Sequence, residues 1–478
     1  MKPVRLGIFE TSPGPSGPSR YVQALLNALD PSQWQVTLFV HAAGPYVRGP
    51  NCTIVPVCGG LDSLAPVRRG EGGVRGRSCE HLFIGPSPQP SPPHTGERGN
   101  GVGAAWRRFA PRPLRLWAGF GRQVVRLAGM IVPQALDLFH TQCTGCEESP
   151  LAARLAGVGK ILGTFHVTGG YDLELRRSAW PHRTLETLSN HALDGAIAVS
   201  EFTRRDWIQR THLPGKNVWT IHNGVDTEHF SPGLEPWADR AAARVELGLP
   251  PDALVVGGVG RLDRIKGFDC LIRAVARLAG VHLALAGSGP MQMQLTQLAA
   301  ELGIAGRVHF LGFRPDVRRV YQTLDVMAVP SRVEALNYAL LEAMAMQLPA
   351  VGACAGGIPE AIAEGQTGLL VDGHDPAAWA EALRQLLNSP DMRHRFGLAA
   401  RARVCAGFAE QTMVRRTLDV YRSMLGQTRS FPSPLYAGER VRVRGSEREI
   451  SLDSLNSAPI GPSPRPSPLH TGARGEAA

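Results

Sequence analysis

Cysteine is scarce: 8 residues in 478, at positions 52, 58, 79, 143, 146, 270, 354 and 405, without the spacing of a disulfide framework. A disulfide scaffold is excluded, and a reducing interior is the expected compartment. Long apolar runs are missing as well. No uninterrupted stretch approaches the ~20 residues of a membrane-spanning helix. After Met1-Lys2 the apolar run Leu6 to Phe9 stops at Glu10 and gives way to the Gly/Pro/Ser stretch Ser12 to Ser19, too little for the core of a secretory signal. The expectation is a soluble, cytoplasmic chain, at most peripheral at the inner face of a membrane. Acidic residues are also in deficit, 41 Asp and Glu against 51 Lys and Arg, and the net charge of +10 suits an anionic partner. Charge alone does not choose among phosphate, nucleic acid and lipid.

What is present points to several folded cores. With 43% hydrophobic residues and this length, more than one domain is expected, while 54 Gly and 38 Pro imply stretches without regular structure. Ile84 to Gly99 (IGPSPQPSPPHTGERG) returns as Ile460 to Gly475 (IGPSPRPSPLHTGARG), each copy preceded by a Gly/Arg-rich piece. Rich in Pro, Gly and Ser and without hydrophobic period, these units cannot offset the entropy of ordering. They read as a cassette inserted twice; a Pro-rich ligand for an aromatic groove is the functional alternative.

Outside residues 60–104 and 427–478, short β-type runs alternate with amphipathic segments, the pattern of an α/β protein with parallel sheets. Strands are expected at Val4 to Phe9, Gln35 to Val40, Lys160 to Phe165, Gly195 to Val199, Val218 to Ile221, Leu254 to Val259, His282 to Ala286, Val308 to Leu311, Val326 to Val329 and Ala350 to Ala353. The Pro-bearing segment Ser231 to Pro251 marks a boundary between two doubly wound Rossmann-like domains facing across a cleft. The expected division is 1–230 with the insertion at about 60–104, then 231–408, a crossover helix at 409–426, and a tail at 427–478.

The strand Leu254 to Val259 runs into Gly260-Arg261-Leu262-Asp263-Arg264-Ile265-Lys266-Gly267 and then a helical pattern. Arg261 and Lys266 thus emerge where a parallel strand meets a helix start, a usual place to hold phosphate. Solvated surface charge is the plain alternative. After Val326 to Val329 come Glu334 and, inside the next helix, Glu342, flanking the first-turn amides near Asn337, Tyr338 and Ala339. Helix-start amides favour an anion, and carboxylates accept hydrogen bonds from sugar hydroxyls. A solvated helix face would carry the same glutamates.

The run Ser331 to Asp372 resembles the donor-site region of the family 4 glycosyltransferases, with its Glu-x7-Glu motif at Glu334 and Glu342. Arg261 and Lys266 match that family's phosphate-binding pair; Gly356 to Glu360 and Thr367-Gly368 match its later loop. Val199-Ser200, Asn223 to Asp226 and Thr164-Phe165-His166 match motifs upstream, and the resemblance spans roughly residues 2 to 425, apart from the first cassette. It implies a GT-B fold and a retaining, metal-independent hexosyl transfer from a nucleoside-diphosphate sugar to a glycan or lipid-linked acceptor, in glycan, glycolipid or cell-envelope polysaccharide synthesis. By the same resemblance Glu334 and His166 serve the donor sugar and Glu342 the ribose. Arg261, Lys266, Asn337, Tyr338 and Ala339 take the phosphates, no cofactor is needed, and Gly17 belongs to the N-terminal glycine loop. The sequence departs from the family's pattern in places: only Gly17 clearly keeps the close approach of that loop, Ala335 and Asn337 stand where Gly is frequent, and Gln347 replaces a usual small Gly. A non-catalytic nucleotide-sugar-binding or scaffold protein and a GT-B sugar-nucleotide epimerase are the rival readings.

Two further features of the sequence stand apart. Cys143 and Cys146 have the spacing of half a metal site, but no second pair lies near, so reduced thiols are expected and no metal. The acid-free segment 105–130, with its Arg and aromatic residues, is either a peripheral contact for an anionic bilayer or an ordinary helix over Trp117 to Met130. No nucleic-acid-binding motif accompanies it, and nucleic acid is not expected as a partner.

Overall fold

The computed structural model describes residues 2–10, 16–40, 52–57, 112–143, 148–168, 182–211, 217–233, 239–427, 440–442 and 449–451. The first cassette, Cys146 and the second repeat copy lie outside the described residues.

The strands run in chain order as β1 Val4–Glu10, β2 Trp34–Val40, β3 Cys52–Pro56, β4 Leu138–Cys143, β5 Lys160–Phe165, β6 Gly195–Ala198 and β7 Val218–Thr220. Then follow β8 Leu254–Val259, β9 Val281–Ala286, β10 Val308–Gly312, β11 Val326–Val329, β12 Ala350–Ala353 and β13 Gly368–Val371. They form two sheets, of order β3-β2-β1-β4-β5-β6-β7 and β10-β9-β8-β11-β12-β13. All pairings within both are parallel. Each sheet has the doubly wound order, in which winding reverses beside the first strand. Most inner strands are buried on both faces, which is why they read as continuous apolar runs rather than alternating ones.

β3, β4 and β13 were not expected. In β4 the apolar run is interrupted by His140, Thr141 and Gln142, all buried. Their polarity hides a central strand, and the burial has a functional reading developed below.

The second sheet is packed through one large core that includes Leu271, Leu283, Leu341 and Trp379. The first sheet has its own core around Leu6, Ile8, Tyr21 and Leu25, and it includes Met413, Val414, Val420 and Tyr421 from the helix Glu410–Met424. That helix therefore returns from the second sheet to pack on the first. The junction is stitched by Val225 and Ala409 as a parallel bridge, with Val225 N–H donating to Phe408 O at 2.9 Å and Glu410 N–H to Val225 O at 3.0 Å.

The described part of segment 105–130 lies in the helix Arg112–Ile131, which packs inward through Leu127, Ala128 and Ile131. Pro113 does not break this helix because it stands in the first turn, where its missing N–H is not needed. In the tail, Arg440–Arg442 and Glu449–Ser451 pair antiparallel with Val441 opposite Ile450, regular structure that the sequence reading did not expect.

Candidate active site

β8 and β11 are neighbours, with β9 and β10 lying beyond β8. Winding reverses between β8 and β11, and the crevice outside their C-terminal ends is where an open parallel sheet takes a ligand. Both cation and glutamate motifs emerge there. β8 leads through Gly260 and Arg261 to a 3-10 turn at Arg264–Lys266, capped by Asp263, whose carboxylate accepts the Lys266 N–H at 3.1 Å. β11 leads to the helix Tyr338–Ala345. The two loops are bonded, Arg332 N–H donating to Ile265 O at 2.7 Å. Gly267 has φ +68°, and a Cβ there would come within 2.0 Å of Pro330 O, so only glycine lets the loops close on each other.

Where they meet, Lys266 Nζ donates to Glu334 Oε2 at 2.6 Å. Asn337 Nδ2 donates to the same oxygen at 2.8 Å and Ser331 Oγ at 3.2 Å. Asn337 also caps the following helix, its Oδ1 accepting the Leu340 N–H at 2.9 Å. Tyr338 and Ala339 begin that helix, so their amides are among the donors that a helix start leaves without intrahelical partners. One asparagine therefore fixes both the carboxylate and the helix start. Arg261 pairs with Asp263 at 2.6 Å and is the more exposed cation, while Lys266 is held by Glu334.

Glu342 is 2% exposed, which rules out a solvated helix face. Its Oε2 accepts the Tyr321 hydroxyl at 2.7 Å, and its Oε1 pairs with the guanidinium of Arg20. Arg20 belongs to the helix Gly17–Ala28 after β1, so this ion pair joins the two sheets. Sequence reasoning gave Arg20 no role; its place one turn after the glycine loop was the available signal. Gly17 opens the same helix, whose start is locked by a reciprocal Ser16–Ser19 capping box. A Cβ on Gly17 would lie 3.1 Å from the Tyr338 ring, so this glycine lets two helix starts approach.

Further contacts hold the glutamate loop. Gly356 has φ +59°, and a Cβ there would run into Glu334 O at 1.5 Å. Gly357 N–H donates to Glu334 O at 3.2 Å, and Asn223 Nδ2, from beyond β7, donates to Leu336 O at 3.1 Å. Glu360 crosses to the first sheet. Its carboxylate accepts the N–H groups of Glu201 and Phe202 at 2.9 and 2.8 Å and contacts His222 Nε2 at 2.7 Å. It thereby caps the helix Glu201–Thr211 from the other half of the molecule.

His166 follows β5. Its Nε2 bonds Gln142 Oε1 at 2.6 Å, and its ring meets Tyr21 edge-on at 5.4 Å between centroids. Burial pushes its pKa down to about 3, so the imidazole is neutral. Fully buried His140 bonds Tyr421 OH at 2.7 Å and Thr164 Oγ1 at 2.6 Å; burial, and then the neighbouring His166, push its pKa to about 3 as well. Cys143 ends β4, and among the described residues no three His, Cys, Asp or Glu side chains group as metal ligands.

The chain is similar to known proteins along both of its halves. Residues 239–403 match the family model "Glycosyl transferases group 1", and residues 73–229 match "Glycosyltransferase Family 4". The D-inositol 3-phosphate glycosyltransferase of Mycobacterium marinum is 40% identical over 347 residues, 70% of this chain and 71% of that one. The protein of that name from Mycolicibacterium paratuberculosis is 34% identical over 291 residues, 58% of this chain; the match spans only 64% of the relative's length. Among solved structures, sucrose-phosphate synthase from Thermosynechococcus elongatus aligns with a TM-score of 0.68 at 21% identity, over 89% of this chain and all of that one. Anabaena HepE in complex with UDP and glucose aligns with a TM-score of 0.66 at 18% identity, over 88% of this chain and all of that one. These folds are GT-B, and with 40% identity sustained over most of its length the chain belongs to glycosyltransferase family 4.

Proposed function

We propose that this protein transfers a hexose from a nucleoside-diphosphate sugar to a glycan or lipid-linked acceptor, with retention of anomeric configuration. The observation that carries the reading is the convergence of Lys266, Glu334, Asn337 and the start of the helix Tyr338–Ala345 at the reversal point of the second sheet. Arg261, Lys266 and the amides of Asn337, Tyr338 and Ala339 would take the diphosphate. As its bond to the sugar breaks, negative charge grows on the leaving group, and fixed cations and dipoles stabilise it without a divalent metal. Glu334 would accept from donor-sugar hydroxyls, Glu342 from the ribose, and neutral His166 would contact the sugar from the first sheet. Gly17 admits the donor end of the adjacent helix start.

In this reading residues 1–230 form the acceptor side and 231–408 the nucleotide-sugar side, joined by the helix beginning near 409. The helix Arg112–Ile131, with exposed Arg122, Val125 and Arg126, would rest on an anionic bilayer carrying a lipid-linked acceptor. Activity is placed in the cytoplasm, where nucleotide sugars are made. A thermal-shift screen of UDP-, GDP- and ADP-sugars identifies the donor, since a ligand of the folded state raises stability by mass action. Turnover of that donor is then measured with D-inositol 3-phosphate, the acceptor class in the relatives' names, as the first acceptor. Donor binding without turnover on any acceptor would favour the non-catalytic alternative.

A further inference from the structure

Gln142 lies on β4 between two histidines. It is 1% exposed, and its two amide ends face different rings. Its Oε1 is 2.6 Å from His166 Nε2, and its Nε2 is 3.5 Å from His140 Nε2. An amide oxygen only accepts and an amide nitrogen only donates, so the two ends impose opposite states on the nitrogens they face. His166 Nε2 must carry a proton, which leaves Nδ1 as its acceptor. His140 Nε2 must be a lone pair, a state also served by the Thr164 hydroxyl at 2.6 Å, and its proton then sits on Nδ1, donated to Tyr421 OH at 2.7 Å.

Both rings are buried enough to stay neutral, so each has one proton to place and the choice of nitrogen matters. The network has one other consistent state. Turning the Gln142 amide over would put the proton on His140 Nε2 and remove it from His166 Nε2. The Tyr421 end of the chain is anchored on the helix Glu410–Met424, and the Tyr21 and His166 rings stand nearly perpendicular, 5.4 Å between centroids. Thr417 on that helix donates to Met413 O at 2.9 Å, so the Tyr21 hydroxyl must be the donor in its 2.6 Å bond to Thr417 Oγ1.

We propose that Gln142 is a positioning residue for glycosyl transfer: it fixes His166 in the Nε2–H tautomer so that Nδ1 is offered as a hydrogen-bond acceptor to a donor-sugar hydroxyl. The proposal rests on the reading of His166 as a donor-sugar contact. It goes beyond that reading by naming the residue and the atom through which the ring is set, and by tying the setting to the returning helix. A purely structural glutamine would need only to be bonded, in either orientation.

The test uses the full chain labelled with 15N-histidine. Long-range 1H–15N correlation spectra of the ligand-free protein report which nitrogen of each ring is protonated. His166 is expected as the Nε2–H tautomer and His140 as the Nδ1–H tautomer. Gln142→Met keeps the shape but removes both bonds, and it should leave His166 in mixed tautomers with kcat lowered about tenfold and donor KM little changed. Gln142→Glu keeps an acceptor facing His166 Nε2 and should retain the Nε2–H tautomer and more activity than Gln142→Met. A wild-type His166 protonated on Nδ1 overturns the proposal without need of any variant. So does a Gln142→Met protein with wild-type kcat while His166→Ala is impaired. If His166→Ala itself has wild-type kinetics with the tautomers as expected, the donor-sugar role of His166 has failed instead.

Discussion

His222 Nε2 and the Glu360 carboxylate meet at 2.7 Å from opposite halves of the molecule, and the same carboxylate caps the helix that starts at Glu201. One acceptor, carried by the loop Gly356 to Glu360, thus ties together the helix start that follows Val199-Ser200 and His222 beside Asn223. Together they set the halves beside the glutamate loop, which Gly357 and Asn223 bond directly.

Glu360→Ala should therefore uncouple the halves as well as destabilise them. Removing one partner of a buried, charge-assisted network typically costs about 3 kcal/mol. Urea denaturation is expected to show a lowered midpoint, and small-angle scattering a broader distribution of shapes. A variant with unchanged midpoint and scattering would contradict the role given to this carboxylate.

Gln347 has φ +59° just after the helix Tyr338–Ala345, with Leu348 N–H bonded to Ala343 O and Gln347 N–H to Met344 O. This is the Schellman arrangement, whose left-handed residue is normally glycine. Gln347→Gly should raise stability by up to about 1 kcal/mol, since relief of left-handed strain exceeds the added freedom of the unfolded chain. Thermal unfolding checks it; a loss of more than about 0.5 kcal/mol would mean that the Gln347 side chain contributes contacts of its own.

Acid should destabilise the protein before its carboxylates titrate. His140 and His166 have pKa values of about 3 in the fold against about 6.5 unfolded. Their depressed values stabilise the fold fully above pH ~6.5, and that contribution is lost as pH falls towards 3, because the unfolded chain binds the protons. Each histidine should add a slope of up to about 1.4 kcal/mol per pH unit in this window. Urea titrations between pH 7 and 5 should show stability falling, with a shallower slope in His140→Gln. An equal slope in that variant would show that His140 is not the buried neutral group described.

Glu334 and Glu342 should separate kinetically. Glu334→Gln weakens the bonds to Lys266 and to the donor sugar and is expected to lower kcat more than it raises KM, because those contacts tighten as the glycosidic bond breaks. Glu342→Gln should act on donor KM. It should also cost about 1 to 3 kcal/mol of stability, since its partner Arg20 loses a buried counter-charge. Steady-state kinetics in EDTA, with a parallel unfolding curve, measure both effects. Wild-type kinetics in both variants would remove the donor-site assignment, and loss of activity in EDTA would contradict the cation argument.

The alternation of apolar runs located ten of the thirteen parallel strands, because strands buried on both faces cannot hide their composition. β4 escaped because buried His140, Thr141 and Gln142 interrupt the apolar run of a central strand, and β3 because it is a partly exposed edge strand. In the site, Lys266 and Glu334 were legible as residues near one another, but their direct pairing was not, since it depends on how two loops from β8 and β11 fold together. The pairings of Arg20 and Glu360 carried no local signal. Their partners lie 322 and at least 138 positions away, and only the assembled halves bring such distant groups together.

The central claim is that Arg261, Lys266 and the helix start at Tyr338 hold a diphosphate. Calorimetric titration of the nucleoside diphosphate and the bare nucleoside of the screened donor, against wild type, Arg261→Ala and Lys266→Ala, tests it most directly. Each variant should lose roughly 1.5 to 3 kcal/mol of nucleoside-diphosphate affinity, as expected for hydrogen bonds to charged groups, while nucleoside affinity stays as it was. Equal losses for nucleoside and nucleoside diphosphate, or no loss for either, would contradict it.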